Sequence, residues 1–259
     1  MKKLTIVKIG GQILDDETAL SEFVSLFVQL SGEKILVHGG GKLVTELAVK
    51  MGIEPQLIEG RRITDQASLK LATMVYAGFI NKNLVAQLQQ KHCNALGLTG
   101  ADAQLIQTQK RPATPIDFGW VGDLYATSVD AERIAQFLEW GLCPVFSAIT
   151  HDGQGQLLNT NADDIAAALA IALTQYYEVS LLYCFEKKGV LSDINNENSV
   201  VPLLSFRDKE QLLKLGIIAQ GMIPKINNAW KASQAGVTSV RIQKSGDLLN
   251  PDSGTRIQF

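Results

Sequence analysis

The sequence predicts an α/β protein with a mainly parallel central sheet. Three observations carry that prediction. Short apolar runs of strand type alternate with longer segments of helical periodicity. Two of the runs exit directly into glycine turns, Gly10-Gly11 and Gly39-Gly40-Gly41, each followed by a helical pattern. The chain offers no linker rich in Pro, Gly or Ser, no repeat and no low-complexity tract, so its 259 residues read as one domain, 1–259.

The elements follow in order. Leu4 to Ile9 reads as a buried strand, and residues 17–31 place Leu20, Phe23, Val24, Phe27 and Leu30 at helical spacing. Lys34 to Val37 is a second strand, and residues 42–51 resume the helical pattern, which makes a right-handed βαβ arrangement. Residues 66–91 form one long helical stretch. Residues 94–125 read as short strands and hairpins, with Pro112 and Pro115 marking a loop. A helix over 130–140 and a strand over 142–148 lead to a hairpin tip at residues 151–155. A helix over 161–174 opens with two acids, where the helix dipole favours negative charge. A buried strand over 179–184, a polar loop over 192–199, helices over 207–215 and 222–235, and a strand over 238–242 complete the chain.

Composition excludes several classes. Lys and Arg total 24 against 26 acids, for a formal charge of −2, which gives no electrostatic case for nucleic acid or acidic lipid. The apolar run at the N-terminus is too short for a signal peptide, and no uncharged run of 18 residues predicts a membrane span. A cytoplasmic protein is the corresponding expectation. The cysteines Cys93, Cys143 and Cys184 lack metal-binding spacing and read as buried free thiols.

Chemistry concentrates at a few places. Glycine turns at strand ends let backbone N–H groups approach an anion, yet neither a dinucleotide-binding GxGxxG nor a GxxxxGK[ST] phosphate loop is present. Asn161 suits a helix N-cap, but Asn159, Asn161, Asp163 and Asp164 together exceed what capping needs. Lys225 sits near a helix start, where the dipole disfavours a cation, so it either reaches solvent or meets an anion. Adjacent Arg61 and Arg62 on an extended segment point to opposite faces and so should not serve one target.

Taken in order, Lys8-Ile9-Gly10-Gly11, His38-Gly39-Gly40-Gly41, Gly60-Arg61-Arg62-Ile63-Thr64, Asn159-Thr160-Asn161-Ala162-Asp163 and Gly221-Met222-Ile223-Pro224-Lys225 resemble the amino acid kinase superfamily. The resemblance covers nearly the whole chain and is strongest to the N-acetylglutamate kinases of arginine biosynthesis. It implies an αβα sandwich, with an N-lobe over about 1–174 for the acylated amino acid and a C-lobe over about 175–259 for ATP. The implied reaction transfers the γ-phosphoryl group of ATP to the side-chain carboxylate of N-acetylglutamate or N-succinylglutamate. Lys8 and Lys225 would stabilise the transferring phosphoryl, Asp163 would orient them, and the N–H groups of Gly11 and Gly40 would donate to its oxygens. Gly40, Gly41, Arg62 and Asn159 match the family's acceptor contacts. Gly10, Gly11, Glu186, Gly189 and Lys225 match its nucleotide side. Mg2+ would come with the nucleotide, with no metal ligand expected from the protein.

Two departures stand out. Glu186 replaces the family's usual Asp on the nucleotide side, after Phe185 in place of a small hydroxyl residue. Arg61 occupies a place where relatives often carry an apolar residue facing the acyl group; it could meet an extra carboxylate, as in a succinyl group, or point to solvent. The alternatives to an acylglutamate kinase are a carbamate or glutamate 5-kinase, or a non-catalytic sensor of amino acid or nucleotide. Because the chain begins almost at its first strand, the resemblance implies a homodimer without arginine feedback, associating through residues 66–91.

Overall fold

A computed structural model describes residues 1–58, 61–193, 195–205 and 222–258. The expected helix over 207–215, with Gly60 and Gly221 of the two motifs, lies outside the described residues.

The order along the chain is β1 (Lys2–Ile9), α1 (Gly11–Asp15), α2 (Glu17–Phe27), β2 (Glu33–His38), α3 (Gly41–Lys50), β3 (Leu57–Ile58), β4 (Arg61–Arg62) and α4 (Gln66–Thr73). A π-helical segment, Met74–Ile80, joins α4 to α5 (Asn81–Gln90). Then come β5 (Ala95–Leu98), β6 (Gln109–Lys110), β7 (Gly122–Asp123), α6 (Ala131–Glu139), β8 (Cys143–Ser147), β9 (Ile149–His151), β10 (Leu157–Asn159), α7 (Ala162–Leu173) and β11 (Tyr177–Phe185). The described chain closes with β12 (Leu203–Ser205), α8 (Ile223–Gln234), β13 (Ser239–Lys244) and β14 (Thr255–Gln258).

Eight strands form one sheet in the order β12-β14-β13-β11-β1-β2-β8-β5. All neighbours from β13 to β5 pair in parallel, and only β14 against β13 is antiparallel. Strands buried on both faces must be apolar along their length. Leu4, Ile6, Val7, Ile9, Ile35, Leu36 and Val37 accordingly have no exposure at all. β11 pairs with β1 over the whole of β1, from Lys2↔Tyr177 to Ile9↔Cys184, so one sheet runs across residue 175. None of the described helices is long and apolar enough to cross a membrane.

The helices mostly lie where periodicity predicts them, with physical reasons for each difference. The helix expected over 17–31 begins on an Asp16 cap, whose carboxylate accepts from the N–H groups of Thr18 and Ala19, and ends at Phe27. Its last expected turn unwinds before Gly32, which adopts a positive φ of 78°. Residues 66–90 are helical throughout, but the centre widens into the π segment, which a 3.6-residue period does not reveal. The one-turn α1 and the short strands β12 and β14 have no counterpart in the sequence reading.

Candidate active site

In parallel sheets, ligands collect at the carboxyl ends of the strands. β1 and β2 are sheet neighbours and end in register at Ile9↔His38, so their two glycine turns lie side by side. Around them opens a cavity of about 510 Å³, lined by Lys8, Gly11, Gly40, Gly41, Arg62, Asn159, Asp163 and Lys225 among others.

Its centre is Asp163, in the first turn of α7. Asn161 caps that helix, accepting from the N–H groups of Asp163 and Asp164, and so fixes where the carboxylate points. Lys8 Nζ lies 2.7 Å from Asp163 Oδ1, and Lys225 Nζ lies 3.4 Å from Oδ2. Lys8 and Asp163 side chains are only 10% and 7% exposed, whereas Lys225 is 25% exposed. Burial alone would push the Asp163 carboxyl up, but the two ammonium groups outweigh it and hold its pKa below the usual carboxylate value. The anion that Lys225 meets at its helix start is therefore Asp163. A carboxylate shared by two cations leaves net positive charge facing the cavity.

The second glycine turn is held from behind. His38, fully buried at the end of β2, accepts from Asn81 Nδ2 at its Nε2 (3.0 Å), and its Nδ1–H donates to Gly39 O (3.0 Å). Asn81 also donates to Val145 O on β8, 2.9 Å away. Burial keeps His38 neutral and lowers its pKa to about 4. Gly40 turns with φ 141°, and a Cβ there would collide with Ile80 Cδ1 of the π segment. Position 40 therefore requires glycine on conformational grounds, since only the flexible end of Ile80 stands in the way of a Cβ.

Arg62 is anchored rather than free. Its Nη2 donates to Gly41 O (3.0 Å) and Thr45 Oγ1 (2.6 Å), and it acts on the hydroxyl of buried Tyr76. Thr64 links two motifs, since its Oγ1 accepts from Asn159 Nδ2 at 3.1 Å. Arg61 is exposed and borders both this cavity and a neighbouring one of about 470 Å³, which Asp164, Asn228 and Lys231 also line. Both arginines border the first cavity, and only Arg61 borders the second. Asp164 is bonded to Asn228 Nδ2 of α8. Burial, seconded by Asp163, raises its carboxyl pKa against the pull of Asn228, Arg61 and Lys231.

Three predicted nucleotide residues fall outside this lining. Gly10 donates its N–H to Cys184 O at 3.1 Å. Glu186 is exposed beside Gln12 of α1, whose amide nitrogen donates to the carboxylate at 2.8 and 3.1 Å once the amide is assigned with nitrogen toward it. Gly189 is buried against Thr255, where a Cβ would meet Thr255 Oγ1 at 2.8 Å. Conversely, sequence reasoning missed Arg111, Thr45 and Tyr76 in the cavity wall. Arg111 is held by a bidentate pair with Asp123, with Nε 3.0 Å from Oδ1 and 3.1 Å from Oδ2. Phe118 and Val121, from the segment expected as short strands and hairpins, supply apolar wall. Among the described residues, no three His, Cys, Asp or Glu side chains group to hold a metal ion.

Comparison with known proteins places the chain. The profile of the amino acid kinase family matches residues 3–244. An acetylglutamate kinase of Bacteroides thetaiotaomicron is 48% identical over 257 residues, covering 99% of both chains. One from Methanopyrus kandleri is 34% identical, covering 95% of this chain and 97% of that one. Among solved structures, a Streptococcus mutans protein superposes with a TM-score of 0.82 at 26% identity, covering 98% of each chain. An N-acetylglutamate synthase from Neisseria gonorrhoeae also reaches a TM-score of 0.82 at 21% identity, covering this whole chain and 59% of its own, a likeness of fold alone. Matched along nearly its entire length, this chain belongs to the amino acid kinase family, on the acetylglutamate kinase branch.

Proposed function

We propose that this protein transfers the γ-phosphoryl group of ATP to the side-chain carboxylate of N-acetylglutamate, forming an acyl phosphate and ADP in arginine biosynthesis. The observation that carries the reading is buried Asp163 held between Lys8 and Lys225, in one cavity with the anchored Arg62. The acetylglutamate kinases similar over the full chain support it.

Phosphoryl transfer to a carboxylate needs charge neutralisation and in-line alignment. An acceptor carboxylate oxygen attacks the γ-phosphorus, and the β–γ bridging oxygen leaves on ADP with its electron pair. No proton moves, so no general base is required. Lys8 and Lys225 neutralise charge on the phosphoryl, and Asp163 keeps their ammonium groups apart and aimed. The N–H groups of Gly11 and Gly40 donate to the phosphoryl oxygens. Arg62 holds the acceptor's α-carboxylate with its charge and the donors of Nη1, its Nη2 being engaged by Gly41 O and Thr45 Oγ1. Gly41 and Asn159 complete the acceptor site, while Gly10, Glu186 and Gly189 serve the nucleotide side. Mg2+ fits this donor set as an ion carried on the nucleotide phosphates, where it would offset their charge, because the central carboxylate is already matched to two lysines.

In this reading residues about 1–174 form the acceptor lobe and about 175–259 the nucleotide lobe, and the chain pairs through residues 66–91. The exposure of Arg61 supports acetyl as the acyl group, since a cation in water needs no acyl carboxylate. A coupled assay of ADP release with N-acetylglutamate tests the activity; binding without turnover would sink it. Comparing kcat/KM for N-acetyl- and N-succinylglutamate, in wild type and Arg61→Ala, tests the acyl assignment. The same relative preference for acetyl is expected in both. A succinyl preference lost with Arg61 would overturn it.

A further inference from the structure

A second reactive locus lies at the far edge of the sheet, where two of the three cysteines meet. After α5 the chain reverses through His92, at φ 60°, and Cys93 donates its N–H to Leu88 O at 3.0 Å. Cys143 opens β8 in register with Ala95, its N–H donating to Asn94 O at 2.8 Å. This backbone arrangement brings both thiols to one cavity of about 240 Å³, which Glu33, Lys34, Lys91 and His92 also line. Cys143 is buried and Cys93 half-buried, a departure from the expectation that all three thiols are buried. Outside reagents therefore reach Cys93 first. The Cys143 thiol, aided by Lys34 and opposed by burial, lowers the Cys93 pKa to about 7. The Cys143 thiol is pushed up in turn. Thiolates, not thiols, are the nucleophiles of sulfur chemistry. No residue of the cavity holding Asp163 takes part.

We propose that Cys93 and Cys143 form a hydroperoxide-responsive thiol pair, with Cys93 the attacking sulfur and Cys143 the resolving one. The Cys93 thiolate attacks the O–O bond of hydrogen peroxide, giving a sulfenic acid and hydroxide. The Cys143 thiol then attacks the Cys93 sulfur, forming a disulfide and releasing water. Two electrons pass from the thiols to peroxide. Buried Cys184, whose thiol burial pushes up to about 12, stays reduced.

The test treats the whole protein with hydrogen peroxide, then counts thiols after unfolding and maps the peptides. The expected result is one remaining thiol, Cys184, and a linked Cys93–Cys143 peptide two hydrogens lighter than its parts. Cys143→Ala should give no linked peptide and should leave a Cys93 sulfenic acid that dimedone traps. Iodoacetamide alkylation of Cys93 at pH 7 should also fall by about an order of magnitude in that variant, as the thiol returns toward its ordinary pKa. Cys93→Ser, at the more exposed position, should leave both remaining thiols unoxidised. Three surviving thiols in the wild type, a link involving Cys184, or unchanged alkylation in Cys143→Ala would each overturn the proposal.

Discussion

Lys8 and Lys225 approach the same carboxylate from different depths, and their substitutions should separate accordingly. Lys8 is nearly buried and close to Asp163, so Lys8→Met removes the nearer of two partners from a buried charge. That loss destabilises the fold by about 3 kcal/mol, in the range found for broken buried pairs, and also abolishes transfer. Lys225 is partly exposed and farther away. Lys225→Met should leave unfolding in urea within about 1 kcal/mol of wild type, as partly exposed pairs do. It should nevertheless lower kcat by about 10²–10³, the size of a lost transition-state donor. An unchanged kcat would remove Lys225 from the reaction. The glycines, Lys8, Asp163 and Lys225 were readable in the sequence because each sits in a compact motif. Arg111 was not, because its place in the cavity depends on the β6–β7 pairing and on Asp123 across it.

At the scale of elements, the π segment does what a regular helix could not be read to do. It sets Tyr76 against Arg62 and Ile80 against Gly40, so one widened turn buttresses both a cationic and a glycine feature of the cavity. Tyr76→Phe keeps the packing and removes the hydroxyl, so KM for the acceptor should rise several-fold while kcat changes little; equal KM would dismiss the hydroxyl's part. The buried parallel strands were legible as apolar runs ending in glycine. The π segment was not, since the same apolar residues satisfy both helix types over two turns. Strand β2 carries its own pH response through His38. Because its folded pKa is about 4, below the free value of 6.5, the unfolded chain binds the proton first as pH falls. Stability is full above pH 6.5 and declines between 6.5 and 4, by about 3 kcal/mol for this one group. Urea unfolding across that window should show the slope, and His38→Asn, starting from lower stability, should lose it. A slope that survives in the variant would assign it elsewhere.

For the whole molecule, the central sheet satisfies its own core, while several large apolar side chains stay in water. Met74 and Phe79, on the segment joining α4 and α5, are 49% and 65% exposed, and Val49 and Met51 at the end of α3 are similarly uncovered. Because α3 packs against α4, these residues belong to neighbouring elements. Apolar residues scattered singly over a surface need no explanation, whereas a run along one helix and its neighbour suits burial against a second copy. Two-fold symmetry would bring each helix against its equivalent, so a charge placed there is repeated across the contact and opposes itself. Phe79→Asp should therefore turn a particle of twice the 28.2 kDa chain mass into one of that mass, read by sedimentation over a range of concentrations. The far side of the same segment carries Tyr76 and Ile80, so dissociation should also raise the acceptor KM through a loosened Arg62 and Gly40. Sedimentation of the wild type at the single-chain mass throughout the range would refute the pairing, and a dimeric Phe79→Asp would move the contact to another face.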